Sequence, residues 1–289
     1  MSTVDEVLLR LPVDETEIEY SERGTGEPVL LIHAGVFADW FAALAASPVL
    51  DGFRVIRMHR AGYLSGPQPE LHLTLSDHAR HVGDLIDALG LGTAHLCGHS
   101  SSCLINLQLA MDRPGSVASL VLLDPAPGAV LQAQSQRDFT DSVARPALIA
   151  AASGDIATAF DIWMSGSDAG YQRILETSLG PQGYRDAVTQ SRFFFTDELP
   201  AVRAWALDRD RARDLDQPIL LVRGADSPVN FHDMVDLLGG VLPRAEVTTL
   251  DGVGHLMPLQ DPEGVGALIA DFARRHPITG QDRARPGAR

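Results

Sequence analysis

The sequence predicts an α/β protein: a mostly parallel β-sheet flanked by helices, with a helical cap inserted after the strand that ends at Asp124. Three observations predict it. Short apolar runs alternate with stretches of helical spacing, the order of parallel strands joined by crossover helices. Runs such as "PVLLIHAG" and "VASLVLLDPAP" are apolar without alternation, as strands covered on both faces must be. Between residues 128 and 213 the rhythm stops and only helical spacing is left.

Taken in order, the first 30 residues alternate in "EVLLRLP" and "TEIEYSE" and close at the turn "RGTGEP", which predicts a β-hairpin. "PVLLIHAG" and "FRVIRMHRAGY" are buried strands with polar exits. "LTLSDHARHVGDLIDALGLG" has apolar residues at helical spacing and a glycine stop. "TAHLCGH" is a strand, and "SCLINLQLAMDRPG" a helix that must end before Pro114. "VASLVLLDPAP", "QPILLVRGADSP" and "AEVTTLDGVGH" supply the remaining strands, and "PEGVGALIADFARRH" the last helix. Residues 1–127 and 214–276 thus form a core domain, 128–213 a lid over the carboxyl ends of its strands, and the polar residues 277–289 a disordered tail.

Composition narrows the function classes. With 45% hydrophobic residues, the 289-residue chain can bury a sizeable core. Its formal charge is −15, which repels phosphate backbones and anionic headgroups and so argues against nucleic acid and membrane partners. No lysine occurs, so all 23 basic residues are arginine. A Schiff base, an internal PLP aldimine, a Ser-Lys dyad and a Walker-type phosphate lysine are therefore excluded. The acidic start "MSTVDEVLLR" lacks the basic and apolar regions of a secretory leader, and a cytoplasmic location is expected. Cys97 and Cys103 are read as buried thiols rather than a disulfide. His78 and His81 are read as solvated on one helix face; no ligand cluster is visible, so neither metal nor cofactor is expected. Nothing in the sequence argues for a homodimer.

One stretch carries chemistry. "TAHLC-GHSSS-CLINLQLA" orders a strand, a sharp turn and a helix around Ser100, nearly the G-x-S-x-G of a nucleophile elbow, with Ser102 in place of the last glycine. The helix start offers unpaired N–H groups and a favourable dipole, so the N–H of Ser101 would face an oxyanion formed at Ser100. A serine needs a base, and the base needs an orienting partner. "LDGVGHLMPLQDPE" puts His255 in a glycine-flanked loop between the last strand and helix. "LLIHAGV" ends a strand with exposed N–H groups at Gly35 or Val36, a second oxyanion donor.

These motifs together resemble the α/β-hydrolase superfamily over roughly residues 18–276: "HAGV" for the oxyanion loop, "HRAGYLSGP" for the turn after the next strand, "GHSSS" for the elbow and "DGVGHLMPLQDPE" for the histidine loop. Two positions depart from the pattern. His59 stands where aspartate is frequent, with no catalytic meaning attached to it. In most members the acid lies three residues beyond a glycine after the strand that follows the lid. Here "RGADSP" puts Ser227 in that slot and Asp226 one residue early, where a side chain tends to turn to the other face. Other members read G-x-x-S-P there and carry the acid at the end of the strand after the nucleophile helix, which here is Asp124. Asp124 is favoured, with Asp226 as the alternative.

The resemblance implies a Ser-His-Asp esterase-like hydrolase without cofactor, acting on a small, mainly apolar ester. Trp40, Phe139, Trp163 and Phe194 are candidates for lining its pocket, although most lid aromatics would form the lid's own core. Serine at position 100 argues against haloalkane dehalogenase or epoxide hydrolase chemistry, which needs aspartate there. A lyase, a cyclase, a cofactor-independent oxygenase or a ligand-binding protein on the same scaffold stays open.

Overall fold

Strands with unbroken apolar sequence take the middle of the sheet. The computed structural model describes residues 7–64, 66 and 70–279. Its strands are β1 (Leu9–Val13), β2 (Thr16–Arg23), β3 (Glu27–Ile32), β4 (Phe53–His59), β5 (Ala94–His99), β6 (Val117–Leu123), β7 (Ile219–Gly224) and β8 (Ala245–Leu250). They form one eight-stranded sheet in the order β1-β2-β4-β3-β5-β6-β7-β8. The β1–β2 and β2–β4 pairs are antiparallel and all others parallel.

Alternation along each strand divides the core into two layers. Leu30 and Ile32 of β3 face one side, with Leu85, Leu104 and Leu238 from helices Leu75–Ala88, Ser101–Asp112 and Val229–Val241. Val29 and Leu31 face the other, with Val265, Ile269 and Phe272 of helix Pro262–Arg275. At about 25 cal/mol per Å² of apolar surface, burying each such leucine contributes roughly 2 kcal/mol before chain entropy is charged. Every element between β6 and β7 is helical, from Gln134 to Arg213. The longest, Tyr171–Phe193, is two helices kinked at Gly180 (φ 69°) and Pro181.

Several expectations are corrected. The hairpin turns at Asp14 and Glu15, with Asp14 at φ 49°. "RGTGEP" instead carries the chain from β2 to β3, which are separated in the sheet by β4. Helix Val229–Val241 was not expected, because His232, Asp233, Asp236 and two glycines interrupt its apolar spacing. His78 and His81 are not solvated. Both are fully buried, since β1–β2 and the helical segment cover their helix: His81 Nε2 lies 3.0 Å from Asp14 Oδ2, and the His78 ring lies 6.4 Å from that of Phe193. Desolvation pushes both imidazole pKa values down. At the expected tail, Ile278 is buried and its N–H donates to Glu27 Oε1 at 3.1 Å; residues 280–289 lie outside the described residues. Among the described residues no helix is long and apolar enough to cross a membrane.

Candidate active site

The carboxyl ends of β3, β5, β6, β7 and β8 converge on one cavity of about 270 Å³. Ser100 follows β5 directly, with φ 55° and ψ −118°, while helix Ser101–Asp112 begins at the next residue. A non-glycine residue holds such a conformation only where its surroundings impose it. Ser100 N–H donates to Leu123 O, and Ser100 O accepts from Cys103 and Ala126 N–H, so three backbone bonds clamp the turn. Gly98 is required: a Cβ there would lie 2.7 Å from Asn106 Nδ2 and 2.8 Å from Ser102 O.

Ser102 does more than fit. It is fully buried, and its hydroxyl donates to Ile32 O at 2.5 Å and accepts from His99 N–H at 2.8 Å. The hydroxyl therefore ties the start of the helix to β3 and to β5. Below it, Cys97 and Cys103 are free, buried thiols, and burial raises both pKa values. Neither is suited to act as a thiolate.

His255 sits in the loop after β8, with its ring stacked on Phe231 at 3.9 Å. Its carbonyl accepts from His99 Nε2–H at 2.8 Å. Burial first, and then the neighbouring His255 imidazole, holds the His99 pKa well below that of a free imidazole, so this bond is made by a neutral ring. His255 Nδ1 lies 3.2 Å from Asp124 Oδ2. Asp124 follows β6 at φ 41° and is fully buried. Its carboxylate also accepts from Ser227 Oγ–H at 2.5 Å and from Gly224 N–H at 3.2 Å. The serine in the frequent acid slot thus points at the carboxylate from the neighbouring strand. Asp226 is exposed, and its carboxylate makes no hydrogen bond among the described residues. Ser100 and His255 both line this cavity, and among the described residues no hydrogen bond joins Ser100 Oγ to His255 Nε2; such bonds often tighten only when substrate binds.

The loop after β3 completes the wall. Val36 is at φ 79°, a strained conformation for a β-branched residue, and its N–H donates to Tyr63 Oη at 3.3 Å. Gly35 N–H donates to no described residue. A Cβ on Gly35 would lie 2.5 Å from the Phe194 ring, so glycine is required by contact. His33 Nδ1–H donates to Ala34 O, and Nε2 accepts from Arg60 N–H; burial, then the Arg60 charge, keeps this ring neutral. Trp40, Phe139, Trp163 and Phe194 all line the cavity. Trp40 also donates Nε1–H to Gly35 O at 2.8 Å and stacks on Phe37.

Sequence reasoning missed a buried polar cluster behind this wall. Glu198 and Arg60 are both fully buried, and Arg60 Nη2 lies 2.9 and 3.0 Å from the two Glu198 carboxylate oxygens. Tyr63 Oη–H donates to Glu198 Oε2, and Ser101 Oγ–H donates to Glu198 Oε1 at 2.5 Å. Burial first, and then the Glu198 charge, raises the Tyr63 pKa well above its usual value, so the phenol keeps its proton. The one signal available was an acidic residue inside the apolar "FFFTDELP", where Asp197 and Glu198 look alike.

A family model described as alpha/beta hydrolase fold matches residues 27–262. The 2-(acetamidomethylene)succinate hydrolase of Mesorhizobium japonicum is 25% identical, with 91% of this chain and 94% of that protein covered. The N-formylmaleamate deformylase of Pseudomonas putida is 26% identical, over 74% and 76% respectively. Among solved structures, the enol-lactonase from Burkholderia xenovorans LB400 superposes with a TM-score of 0.75 at 18% identity, covering 92% of this chain and 100% of that one.

Proposed function

This chain is a member of the alpha/beta hydrolase fold family, and from that premise we propose that it is a serine hydrolase working by acyl transfer. One observation carries the reading. A strained serine at the start of a helix shares a cavity with a histidine whose other ring nitrogen is held by a buried carboxylate. In this reading His255 Nε2 takes the Ser100 proton as Oγ attacks a carbonyl carbon. Asp124 orients the ring and balances the imidazolium. The N–H of Ser101 and of Gly35 stabilise the oxyanion, because Val36 N–H is already engaged by Tyr63. The proton then passes to the leaving group, and water attacks the acyl-enzyme by the same route. The helical segment between β6 and β7 serves as a cap over this cavity.

The cavity's aromatic lining favours a small, mainly apolar acyl compound, an ester or a related carbonyl substrate. Arg203 also lines it, exposed and without an ion pair among the described residues. In a chain with far more acidic than basic residues, an unpaired guanidinium beside the cavity favours a substrate carrying a carboxylate away from the reacting carbonyl. The named substrates of the Mesorhizobium and Pseudomonas relatives, a succinate and a maleamate, fit that feature.

Fluorophosphonate treatment followed by peptide mass analysis tests the chemistry. Stoichiometric labelling of the Ser100 peptide, absent in Ser100→Ala, is expected; folded protein that stays unlabelled would overturn the reading. For the substrate, matched neutral and carboxylated esters are compared. Arg203→Gln should raise KM for the carboxylated ester about tenfold and leave the neutral one alone.

A further inference from the structure

We propose that Glu198, a cap residue, is a positioning residue that holds both halves of the oxyanion hole through two separate hydrogen bonds. The inference rests on the acyl-transfer reading above. One carboxylate oxygen accepts from Ser101 Oγ–H, on the residue whose N–H forms the elbow half of the hole. The other accepts from Tyr63 Oη–H, and Tyr63 in turn accepts from Val36 N–H, in the loop that forms the second half. Val36 is strained at φ 79°, so its conformation depends on such outside bonds.

Everything around Glu198 favours a carboxylate over any other group. Its three side-chain partners, Arg60 Nη2–H, Tyr63 Oη–H and Ser101 Oγ–H, all donate. A carboxylate has acceptors enough for all three; a carboxamide has one oxygen and would turn its NH₂ toward another donor. Arg60 adds a bond to Ala34 O at 3.1 Å, in the same loop as Gly35. The placement of Glu198 is itself unusual. It ends a π-helical turn, Phe194–Glu198, after the long kinked helix, a local irregularity that re-aims side chains. Two phenylalanines beside it seat directly on core glycines. A Cβ on Gly62 would lie 2.4 Å from Phe193, and one on Gly35 2.5 Å from Phe194. The cap is therefore pinned where the carboxylate can reach. Glu198 is not among the residues lining the cavity, so it acts on Ser101 and Val36 rather than on substrate.

A purely structural role, an ion pair fastening cap to core, predicts a different result, and kinetics separate the two. Tyr63→Phe and Ser101→Ala each remove one hydroxyl link while leaving the Arg60–Glu198 pair in place; Glu198→Gln disturbs both links. All are assayed well below their melting temperatures with a p-nitrophenyl ester. They are also titrated with a trifluoromethyl ketone, which presents a tetrahedral oxyanion, and with the p-nitrophenol product, which has no acyl oxygen to place in the hole. Each hydroxyl deletion should lower kcat about tenfold, in line with a loosened oxyanion donor, and Glu198→Gln more than either. Ketone affinity should fall in step while product affinity and KM stay near wild type. If the folded single-hydroxyl variants keep wild-type kcat and ketone affinity, the proposal is overturned even should Glu198→Gln fail to fold. Equal losses in ketone and product affinity would overturn it too. Wild-type protein that neither labels with fluorophosphonate nor turns over esters would instead remove the acyl-transfer reading, and the proposal with it.

Discussion

Two corners of the molecule set a buried histidine against carboxylates at similar distances, and of the two histidines only His255 lines the cavity that holds Ser100. At the carboxyl ends of the strands, His255 Nδ1 lies 3.2 Å from Asp124. Toward the antiparallel edge, His59 Nδ1 lies 3.6 Å from Glu19 Oε2 and its Nε2 3.5 Å from Asp39 Oδ1, with Arg57 Nη1 at 2.5 Å from the same nitrogen. Both ring nitrogens of His59 thus face protein groups. His255 has one nitrogen held, and Nε2 makes no hydrogen bond among the described residues while its ring borders the cavity. Pairing a histidine with an acid is thus a common way to bury an imidazole, and His81–Asp14 and His95–Glu27 repeat it. Catalytic capacity requires in addition an unused nitrogen beside open space and a strained nucleophile next to it.

Substitutions at the two corners should divide cleanly. Asp124→Asn should lower kcat on the order of 1000-fold or more, because the ring loses its orienting charge, in protein that is still folded at the assay temperature. Asp226→Asn, its paired control, should stay within about twofold; a larger loss there with an active Asp124→Asn would exchange the roles of the two acids. His59→Gln should do the reverse, leaving kcat within about threefold. It breaks a buried, charged cluster, which costs about 3 kcal/mol and lowers the melting temperature by about 5–10 °C in calorimetry. A large loss of activity without loss of stability would erase the distinction between the corners.

The smallest effect is one of pH. Burial alone would raise the Asp39 pKa, but hydrogen bonds and charge from His59 and Arg57 outweigh it and bring the carboxyl to about 2. A depressed native pKa means stability that is present above the unfolded value near 4 and is lost as pH falls toward 2. Asp39→Asn should therefore flatten the fall in melting temperature between about pH 4 and pH 2, by about 2 °C because the side chain is partly exposed. An unchanged slope would mean that Asp39 does not hold the edge cluster.

What could be read in the sequence was whatever physics makes local. The turn at Ser100 needs small residues at fixed spacing, and a strand ending in His33-Ala34-Gly35 shows its exposed N–H groups directly. The inner strands were legible because burial on both faces leaves no polar position. Contacts between distant segments were not. Glu198 meets Arg60 across 138 residues, and nothing in "TDELP" says which acid turns inward. The burial of His78 and His81 depended on the segments that cover their helix, which no pattern within the helix reveals. The hairpin turn was misplaced because Asp14-Glu15 lacks the glycine that "RGTGEP" displays.

Ser102 carries a consequence for how such chains diverge. It lies inside a regular helix, outside the positions with left-handed backbone, so this position never required glycine's freedom of rotation. What it limits is volume, and a hydroxyl that finds Ile32 O and His99 N–H satisfies the limit. Alanine or serine is then as admissible there as glycine, whereas Gly98, pressed against backbone and Asn106, has no such latitude. A search that insists on both glycines would pass over this chain, and one that relaxes only the second would keep it.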